Sequence, residues 1–229
     1  RPELTLSLAR MVAQRQNELV YPLRLWSFGP FWRYEKPQKG RTREFFQWNI
    51  DLIGTATPEG DAELVAIAAK FFEIVGLTPN EVKIMVNSRA LMEQKISELG
   101  IDVSEKTKVF NLIDRRDKMS KSEWEAYGRD EGFTLEQIEG FLAIIGDKEL
   151  YKSSPELMRF FRALDAYGIS DYVEFDGRVV RGLDYYTGIV FEARDIGENS
   201  RAILGGGRYD NLVGDEFSPI SRASKTMPV

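Results

Sequence analysis

The 229-residue sequence contains no histidine and no cysteine. Without an imidazole, Ser-His-Asp and Cys-His mechanisms are excluded, and without thiols the chain has no disulfide, thiolate nucleophile or thiolate metal site. A zinc ion would find only carboxylate ligands, a set that does not suit zinc. Any catalysis by this chain therefore depends on carboxylates, amides, tyrosines, arginines and hard cations such as Mg²⁺.

Long hydrophobic runs are missing as well. No segment approaches the roughly 18 consecutive apolar residues of a membrane span, and no charged-then-apolar leader opens the chain. We therefore expect no membrane partner and an intracellular, cytoplasmic location, which the absence of cysteine also favours. The net charge of −5 argues against a protein that coats nucleic acid nonspecifically, although it is compatible with a local basic patch.

The first quarter of the chain has the pattern of a helix followed by a β-hairpin. Apolar residues recur at helical spacing over 6–19, and strand-like runs rich in aromatic residues occupy 23–29, 31–36 and 44–54. A basic turn that contains Pro and Gly, residues 37–43, separates the last two runs. We predict that 31–36 and 44–54 pair as antiparallel strands.

The rest of the chain changes from strand to helix and back to strand. Residues 61–76 predict a helix, and residues 89–168 are almost wholly helical in pattern. The predicted apolar face of the first of these helices consists of Leu64, Ile67, Ala68, Phe71, Ile74 and Val75. Further strand patterns occupy residues 82–87, 172–176, 188–193 and 201–205. This order predicts an α+β fold with a helical insertion.

Residues 118–122 spell KMSKS, the signature pentapeptide of class I aminoacyl-tRNA synthetases. That class also needs a HIGH tetrapeptide at the start of a nucleotide-binding fold, which a chain without histidine cannot supply. Ser120 and Ser122 each precede a glutamate by three residues, the pattern of a capping box. We therefore interpret the pentapeptide as the start of the helix that carries Trp124 and Tyr127.

The segment GPFWRYEKPQKGRTREFFQWNID, residues 29–51, carries the most functional chemistry. On a strand, Arg33 and Glu35 would point to one face, and the second strand would hold its polar and aromatic residues on one face too. The residues of that second strand are Arg43, Phe45, Gln47 and Asp51. Guanidinium groups suit phosphates, a ring suits a base, and carboxylate or amide oxygens suit an amine, so the hairpin favours a nucleotide-binding surface. From these residues alone, an amphipathic hairpin with solvated charges is an equal alternative.

A second polar cluster lies near the end of the chain. Arg181, Tyr185 and Tyr186 bring a cation and two phenols into one short segment, and a phenol can hydrogen-bond an imidazole nitrogen. The three glycines at 205–207 suit a backbone that a ligand approaches closely. By themselves these residues also fit core tyrosines beside a tight turn.

Four ordered blocks in the chain resemble the histidyl-tRNA synthetase family of class II aminoacyl-tRNA synthetases. The hairpin resembles class II motif 2, an Arg-x-Glu strand, a loop and Arg-x-x-Phe, and its RYEKPQKGR wording is that of the histidine-specific family. RPELT (1–5) resembles an element that supplies amino-acid-binding side chains. VVRGLDYYTGIVFE (179–192) and GGGRYDNL (205–212) resemble the two histidine-specific motifs, and VNSR (86–89) is phrased similarly.

The resemblance implies a class II fold, with a mostly antiparallel sheet flanked by helices. It implies ATP-dependent activation of histidine to histidyl-adenylate, then transfer to the 3′ end of tRNA(His), with Arg33 and Arg181 as the catalytic cations. ATP would contact Arg33, Glu35, Arg41, Arg43 and Phe45, and Mg²⁺ would be bound through the ATP phosphates, with no metal site on the protein. Histidine would contact Glu3, Thr5, Gln47, Asp51, Arg181, Tyr185 and Tyr186. The tRNA acceptor end would face Lys36, Gln38 and Lys39.

Motif 1, motif 3 and the anticodon-binding domain of that family have no counterpart in this sequence. We therefore expect an incomplete class II catalytic core at residues 1–88 and 170–217, a helical insertion at 89–169 and an irregular tail at 218–229. We expect the isolated chain to be weakly active or inactive, and the full-length protein to be a homodimer. The alternative is a non-catalytic paralogue that regulates ATP phosphoribosyltransferase in histidine biosynthesis. Such paralogues tend to lose the histidine-motif arginine and tyrosines, which this sequence retains, so the enzyme is favoured.

Overall fold

The computed structural model describes residues 1–37, 41–180, 185–197 and 202–214. The chain divides into two compact units. The first contains residues 1–56 together with the segment from Asp210 onward, and the second contains residues 57–209. Each unit carries part of the residues to which the sequence assigns a function.

The first unit is built from one helix and one strand pair. Helix α1, Thr5–Arg15, buries Ala9, Val12 and Ala13. Strands β1, Leu23–Trp32, and β2, Glu44–Ile53, pair along their full lengths as an antiparallel two-stranded sheet. The prediction of an antiparallel hairpin is therefore confirmed, but its first strand has other bounds than predicted.

The prediction that residues 31–36 form a strand is wrong. Strand β1 begins at Leu23, continues through Gly29 and Pro30, and ends at Trp32, so Arg33 and Glu35 lie beyond it. The backbone N–H of Arg33 still donates to Arg43, but the N–H of Glu35 turns back to the carbonyl of Arg33. Pro37, which has no N–H, cannot extend the ladder. Arg33 and Glu35 are consequently held in the connection between the strands rather than by strand alternation.

The second unit is centred on a four-stranded sheet with the order β4-β3-β5-β6. The strands are β3, Val82–Ser88, β4, Val173–Phe175, β5, Ile189–Asp195, and β6, Ala202–Gly207. Strand β3 pairs in parallel with β4, and the other two pairings are antiparallel. Helices α2, Pro58–Ile74, and α7, Pro155–Tyr167, contribute buried apolar residues to the same hydrophobic core as these strands. The predicted α+β class is confirmed.

The buried face of α2 differs from the predicted one. The helix buries Ala62, Val65, Ala69 and Phe72, whereas Ile74 from the predicted face is 82% exposed. Apolar residues surround most of this helix, so periodicity alone does not select the face that packs. The small alanines lie against the core because a short side chain permits close helix packing.

Four shorter helices form a second hydrophobic cluster. They are α3, Arg89–Glu98, α4, Lys106–Asp114, α5, Lys121–Asp130, and α6, Leu135–Gly146. The cluster contains buried Trp124, whose indole N–H donates to the carbonyl of Leu112 at 2.7 Å. Helix α7 lies within the predicted insertion, but it packs in the hydrophobic core of the four-stranded sheet. The boundaries of the proposed core and insertion stay a prediction.

Helix α5 begins at the end of the KMSKS segment. Ser120 is its N-cap: the Ser120 hydroxyl accepts from the Glu123 N–H, and the Glu123 carboxylate accepts from the Ser120 N–H. This capping box confirms the interpretation of the pentapeptide as a helix start. Within the described ranges, none of the helices has the length and apolar character needed to cross a bilayer.

Candidate functional site

One face of the β1–β2 pair carries the candidate residues of the hairpin. Phe45, Gln47 and Asp51 alternate along β2, as the sequence predicted. Directly opposite on β1 lie Phe31, Gly29 and Leu25, respectively. The rings of Phe31 and Phe45 stack at 6.1 Å between centroids, and this pair closes one end of the face.

Arg33 is fixed by three different partners. Its Nε donates to the carbonyl of Pro2 at 2.9 Å, and its guanidinium carbon lies 4.9 Å from the centroid of the Phe45 ring. Its Nη1 atom is also 4.0 Å from a carboxylate oxygen of Glu35. The N–H of Trp32 donates to the carbonyl of Arg1, so two adjacent contacts bring the start of the chain to the end of β1. The guanidinium group is thus oriented before any ligand arrives.

Glu35 is surrounded by cations. Arg41 Nη1 lies 3.2 Å from its carboxylate, and Arg43 Nε donates to its backbone carbonyl at 3.3 Å. The guanidinium carbon of Arg43 also lies 4.5 Å from the centroid of the Tyr34 ring. Arg33 and Arg41 therefore lie near the Glu35 carboxylate, and Arg43 contacts the backbone of the same residue. Three cations around one anion leave an excess of positive charge where an anion such as a phosphate could bind.

Gln47 and Asn49 form a pair on the same face of β2. The Gln47 Nε2 donates to Asn49 Oδ1 at 2.6 Å. The Gln47 Oε1 and Asn49 Nδ2 atoms are buried, and neither has a hydrogen-bond partner among the residues that the structure describes. Asn49 was not among the predicted site residues, although its position two residues after Gln47 on a strand was a sufficient signal.

Four other predicted residues lie in the first unit. Glu3 is half-buried, and Thr5, also half-buried, is the first residue of α1. Asp51 is half-buried on the face that carries Gln47. Lys36 is exposed in the connection between β1 and β2, as a residue proposed to contact a large partner must be.

In the second unit, the histidine-motif tyrosines form a cluster of rings. Tyr185 packs edge-on against Tyr186, with 5.2 Å between centroids, and against Tyr209, with 6.1 Å between centroids. A Cβ atom added at Gly207 would lie 2.9 Å from the Tyr186 ring. The ring therefore rests directly on the backbone of β6, and only a glycine permits that approach. The two motifs that the sequence singled out meet here.

Arg208 holds this region through partners that the sequence analysis missed. Its N–H donates to the carbonyl of Ile189, and its carbonyl accepts from Thr187 at 2.8 Å. Its guanidinium group forms ion pairs with Glu156 of α7 and with Asp61 of α2, the latter at 3.4 Å. Asp61 and Glu156 lie in distant helices, and no local pattern identifies them as partners.

Three of the predicted site residues, Gln38, Lys39 and Arg181, lie outside the described residues. Over the described ranges, no group of three or more acidic side chains is arranged to hold a metal ion.

The sequence matches one family model over nearly its whole length. The model is described as histidyl-tRNA synthetase, and it matches residues 1–223. The histidine--tRNA ligase of Thermoplasma volcanium is 38% identical over 225 residues, which are 93% of this chain and 52% of that protein. The chloroplastic/mitochondrial histidine--tRNA ligase of Arabidopsis thaliana is 36% identical over 231 residues, which are 95% of this chain and 48% of that protein. The chain thus spans about half the length of these relatives.

Solved structures share the fold. The histidyl-tRNA synthetase from Nostoc sp. PCC 7120 has a TM-score of 0.78 and 25% identity, and the match covers 93% of this chain and 54% of that one. An ATP phosphoribosyltransferase regulatory subunit/histidyl-tRNA synthetase from Bacillus halodurans has a TM-score of 0.72 and 24% identity, with 93% and 58% covered. These likenesses confirm the expected class II type of fold.

Proposed function

We propose, since the chain belongs to the histidyl-tRNA synthetase family, that it is the central part of the catalytic domain of a histidine--tRNA ligase. In this proposal the full-length protein activates histidine with ATP and transfers it to the 3′ end of tRNA(His). The observation that carries the proposal is the group of three arginines around Glu35, namely Arg33, Arg41 and Arg43, with the Phe45 ring against Arg33. Cations next to an aromatic face are what the phosphates and base of a nucleotide require.

The activation step would depend on Arg33. The histidine carboxylate attacks the α-phosphorus of ATP, and pyrophosphate leaves. In the transition state, negative charge builds on the oxygens of the α-phosphate, which lies between the attacking carboxylate and the departing pyrophosphate. A guanidinium group held by Pro2 and Phe45 can stabilise that charge without reorganising. Arg181 would supply a second cation, as the resemblance implies. Arg41 and Arg43 would contact the outer phosphates, and Glu35 and Phe45 would contact adenine. Mg²⁺ would neutralise charge through the ATP phosphates.

Histidine would be bound by the residues that the resemblance implies. Glu3, Thr5 and Gln47 would contact its α-ammonium group, which has only hydrogen-bond donors and therefore needs oxygen acceptors. Asp51 and Tyr186 would read the two imidazole nitrogens, with Tyr185 alongside. The acceptor end of tRNA(His) would meet Lys36, Gln38 and Lys39. We propose a cytoplasmic location and a homodimer for the full-length protein.

A regulatory role is the second candidate. The Bacillus halodurans structure is described as an ATP phosphoribosyltransferase regulatory subunit as well as a histidyl-tRNA synthetase, and it shares this fold. The catalytic proposal is favoured because the sequence keeps Arg33, Phe45, Arg181, Tyr185 and Tyr186.

The two candidates are separated by ATP–pyrophosphate exchange in the full-length protein. We expect exchange with histidine and none with glycine, threonine or proline, which relatives with the same motif 2 activate. Absence of exchange with every amino acid, together with stimulation of ATP phosphoribosyltransferase, would establish the regulatory role instead.

A further inference from the structure

Gly29 lies directly opposite Gln47 in the β1–β2 register. Side chains of directly opposed residues in an antiparallel pair point to the same face of the sheet. A Cβ atom added at Gly29 would meet no atom within 4 Å, apart from its own chain neighbours. The face therefore has an uncrowded position immediately across from the Gln47 side chain.

Nothing in the fold requires glycine at position 29. Its φ angle lies outside the positive range that other residues avoid, and a larger side chain would not collide with a neighbour. Glycine in a strand weakens it, because the backbone loses more freedom on folding and no side chain packs in return. The remaining physical reason for a glycine in a strand is close approach of another group, such as a ligand.

The amide of Gln47 is oriented by Asn49. Since Gln47 Nε2 donates to Asn49 Oδ1 at 2.6 Å, the Oε1 atom is the free acceptor of the amide. That oxygen is buried and lacks a hydrogen-bond partner within the described part of the chain. Buried polar atoms without partners are rare and call for an explanation, and a ligand that brings a donor is one.

Resting on the function proposed above, we propose that Gly29 and Asn49 determine how the α-ammonium group of the amino acid is bound. Asn49 is a positioning residue, because it acts through the Gln47 amide and presents an oxygen rather than an N–H group to the substrate. Gly29 determines specificity for a ligand with an amino group, because its lack of a side chain leaves room for the ammonium group beside the Gln47 amide. Asp51, which follows Asn49 by two residues on the same face of β2, adds a negative charge that favours binding of a cation.

The test compares two ligands in the full-length protein. One is histidine, and the other is 3-(imidazol-4-yl)propionate, which keeps the ring and carboxylate but lacks the amino group. In Asn49→Ala and Gly29→Ala we expect the dissociation constant for histidine to rise about tenfold or more, the usual loss for a hydrogen bond to a charged group. The dissociation constant for the deamino analogue should stay within about twofold, since neither substitution affects its contacts.

Two variants serve as controls. Asn49→Asp keeps an oxygen acceptor for Gln47 Nε2 and should bind histidine nearly as well as the unsubstituted protein. Gly146→Ala changes another uncrowded glycine, at the end of α6, and should change neither constant. If Asn49→Ala does not fold, Gly29→Ala carries the test, because its added methyl group meets no atom.

The inference is overturned if the substitutions weaken both ligands equally, which would mean a general loss of site shape, or if they weaken neither. Failure of the unsubstituted protein to bind histidine would instead overturn the proposed function, and the inference with it.

Discussion

The guanidinium carbon of Arg33 lies 4.9 Å from the centroid of the Phe45 ring, at the end of the β1–β2 pair where the two strands are connected. Phe45 in turn stacks on Phe31, which is almost fully buried. The cation is therefore attached to a rigid part of the hairpin although it lies in the connection between the strands. Preorganised charge of this kind stabilises a transition state more than a mobile side chain does.

Replacement of Arg33 should slow activation rather than unfold the protein. We expect Arg33→Ala to lower histidine-dependent ATP–pyrophosphate exchange in the full-length protein by about a hundredfold or more, the usual effect of removing one preorganised donor. Arg33→Lys keeps the charge but not the planar fork, so it should recover only part of the rate. Arg10→Ala, in the exposed surface of α1, is the matched control and should leave exchange unchanged. A rate for Arg33→Ala close to that of Arg10→Ala would remove Arg33 from the mechanism.

Gly207 and Gly205 provide a matched pair within β6. An added Cβ at Gly207 would lie 2.9 Å from the Tyr186 ring, whereas one at Gly205 would make an ordinary 3.6 Å contact with the carbonyl of Phe191. We expect Gly207→Ala to displace the ring and raise the KM for histidine at least several-fold, with the KM for ATP unchanged. Gly205→Ala should change neither constant. Equal effects of the two substitutions would argue against a role of Tyr186 in histidine binding.

The helix start at Ser120 can be tested through stability. We expect Ser120→Ala to lower the free energy of unfolding by about 1 kcal/mol, the usual cost of losing an N-cap, without changing the KM for ATP. Ser122→Ala keeps the Ser120–Glu123 capping box and should cost less. The measurement is thermal or urea unfolding alongside ATP kinetics. A raised KM for ATP with unchanged stability would show that the pentapeptide acts on phosphates after all.

The same cap predicts a pH dependence. Hydrogen bonds from the Ser120 hydroxyl and backbone N–H hold the pKa of the Glu123 carboxyl below its ordinary value. Because the folded-state pKa of Glu123 is lower than its unfolded-state pKa, the ionised carboxylate contributes its full stability at pH values above the unfolded-state pKa. This contribution to stability is lost as the pH falls through the folded-state pKa. The stability difference between Ser120→Ala and the unsubstituted protein should therefore shrink in acid.

The 229-residue chain on its own should give no detectable ATP–pyrophosphate exchange. In the part of the chain that the structure describes, its candidate nucleotide site rests on a two-stranded sheet, whose other face exposes Trp26 and Phe28. A two-stranded sheet is marginally stable unless more structure packs on it. Amide hydrogen exchange should accordingly be faster in β1 and β2 than in the buried strand β3. Exchange activity with histidine from this chain alone would contradict the prediction.

The sequence predicted those features that depend on local pattern. Strand alternation correctly put Phe45, Gln47 and Asp51 on one face, and the spacing from Ser120 to Glu123 correctly predicted a capping box. The prediction that Arg33 and Glu35 lie on a strand was wrong. The end of β1 depends on where the pairing of the two strands stops, which the sequence of one segment does not determine. The four resembling blocks identified the family, which the match of the family model to residues 1–223 confirms.

Long-range features could not be predicted in this way. The predicted buried face of α2 was wrong because the helix is apolar on several sides. Only the packing against the rest of the unit selects which of these sides is buried. Asp61 and Glu156 meet Arg208 only after three distant segments fold together, so no spacing in the sequence relates them. Asn49 was visible two residues after Gln47, but its effect on the Gln47 amide required atomic positions.

The most direct test of the account is an experimental structure of the full-length protein with a non-hydrolysable analogue of histidyl-adenylate. The account predicts that the guanidinium groups of Arg33 and Arg181 both lie within about 3 Å of oxygens attached to the α-phosphorus, the distance of a charge-assisted hydrogen bond. A structure in which the analogue binds while either arginine points away from the phosphate would contradict it.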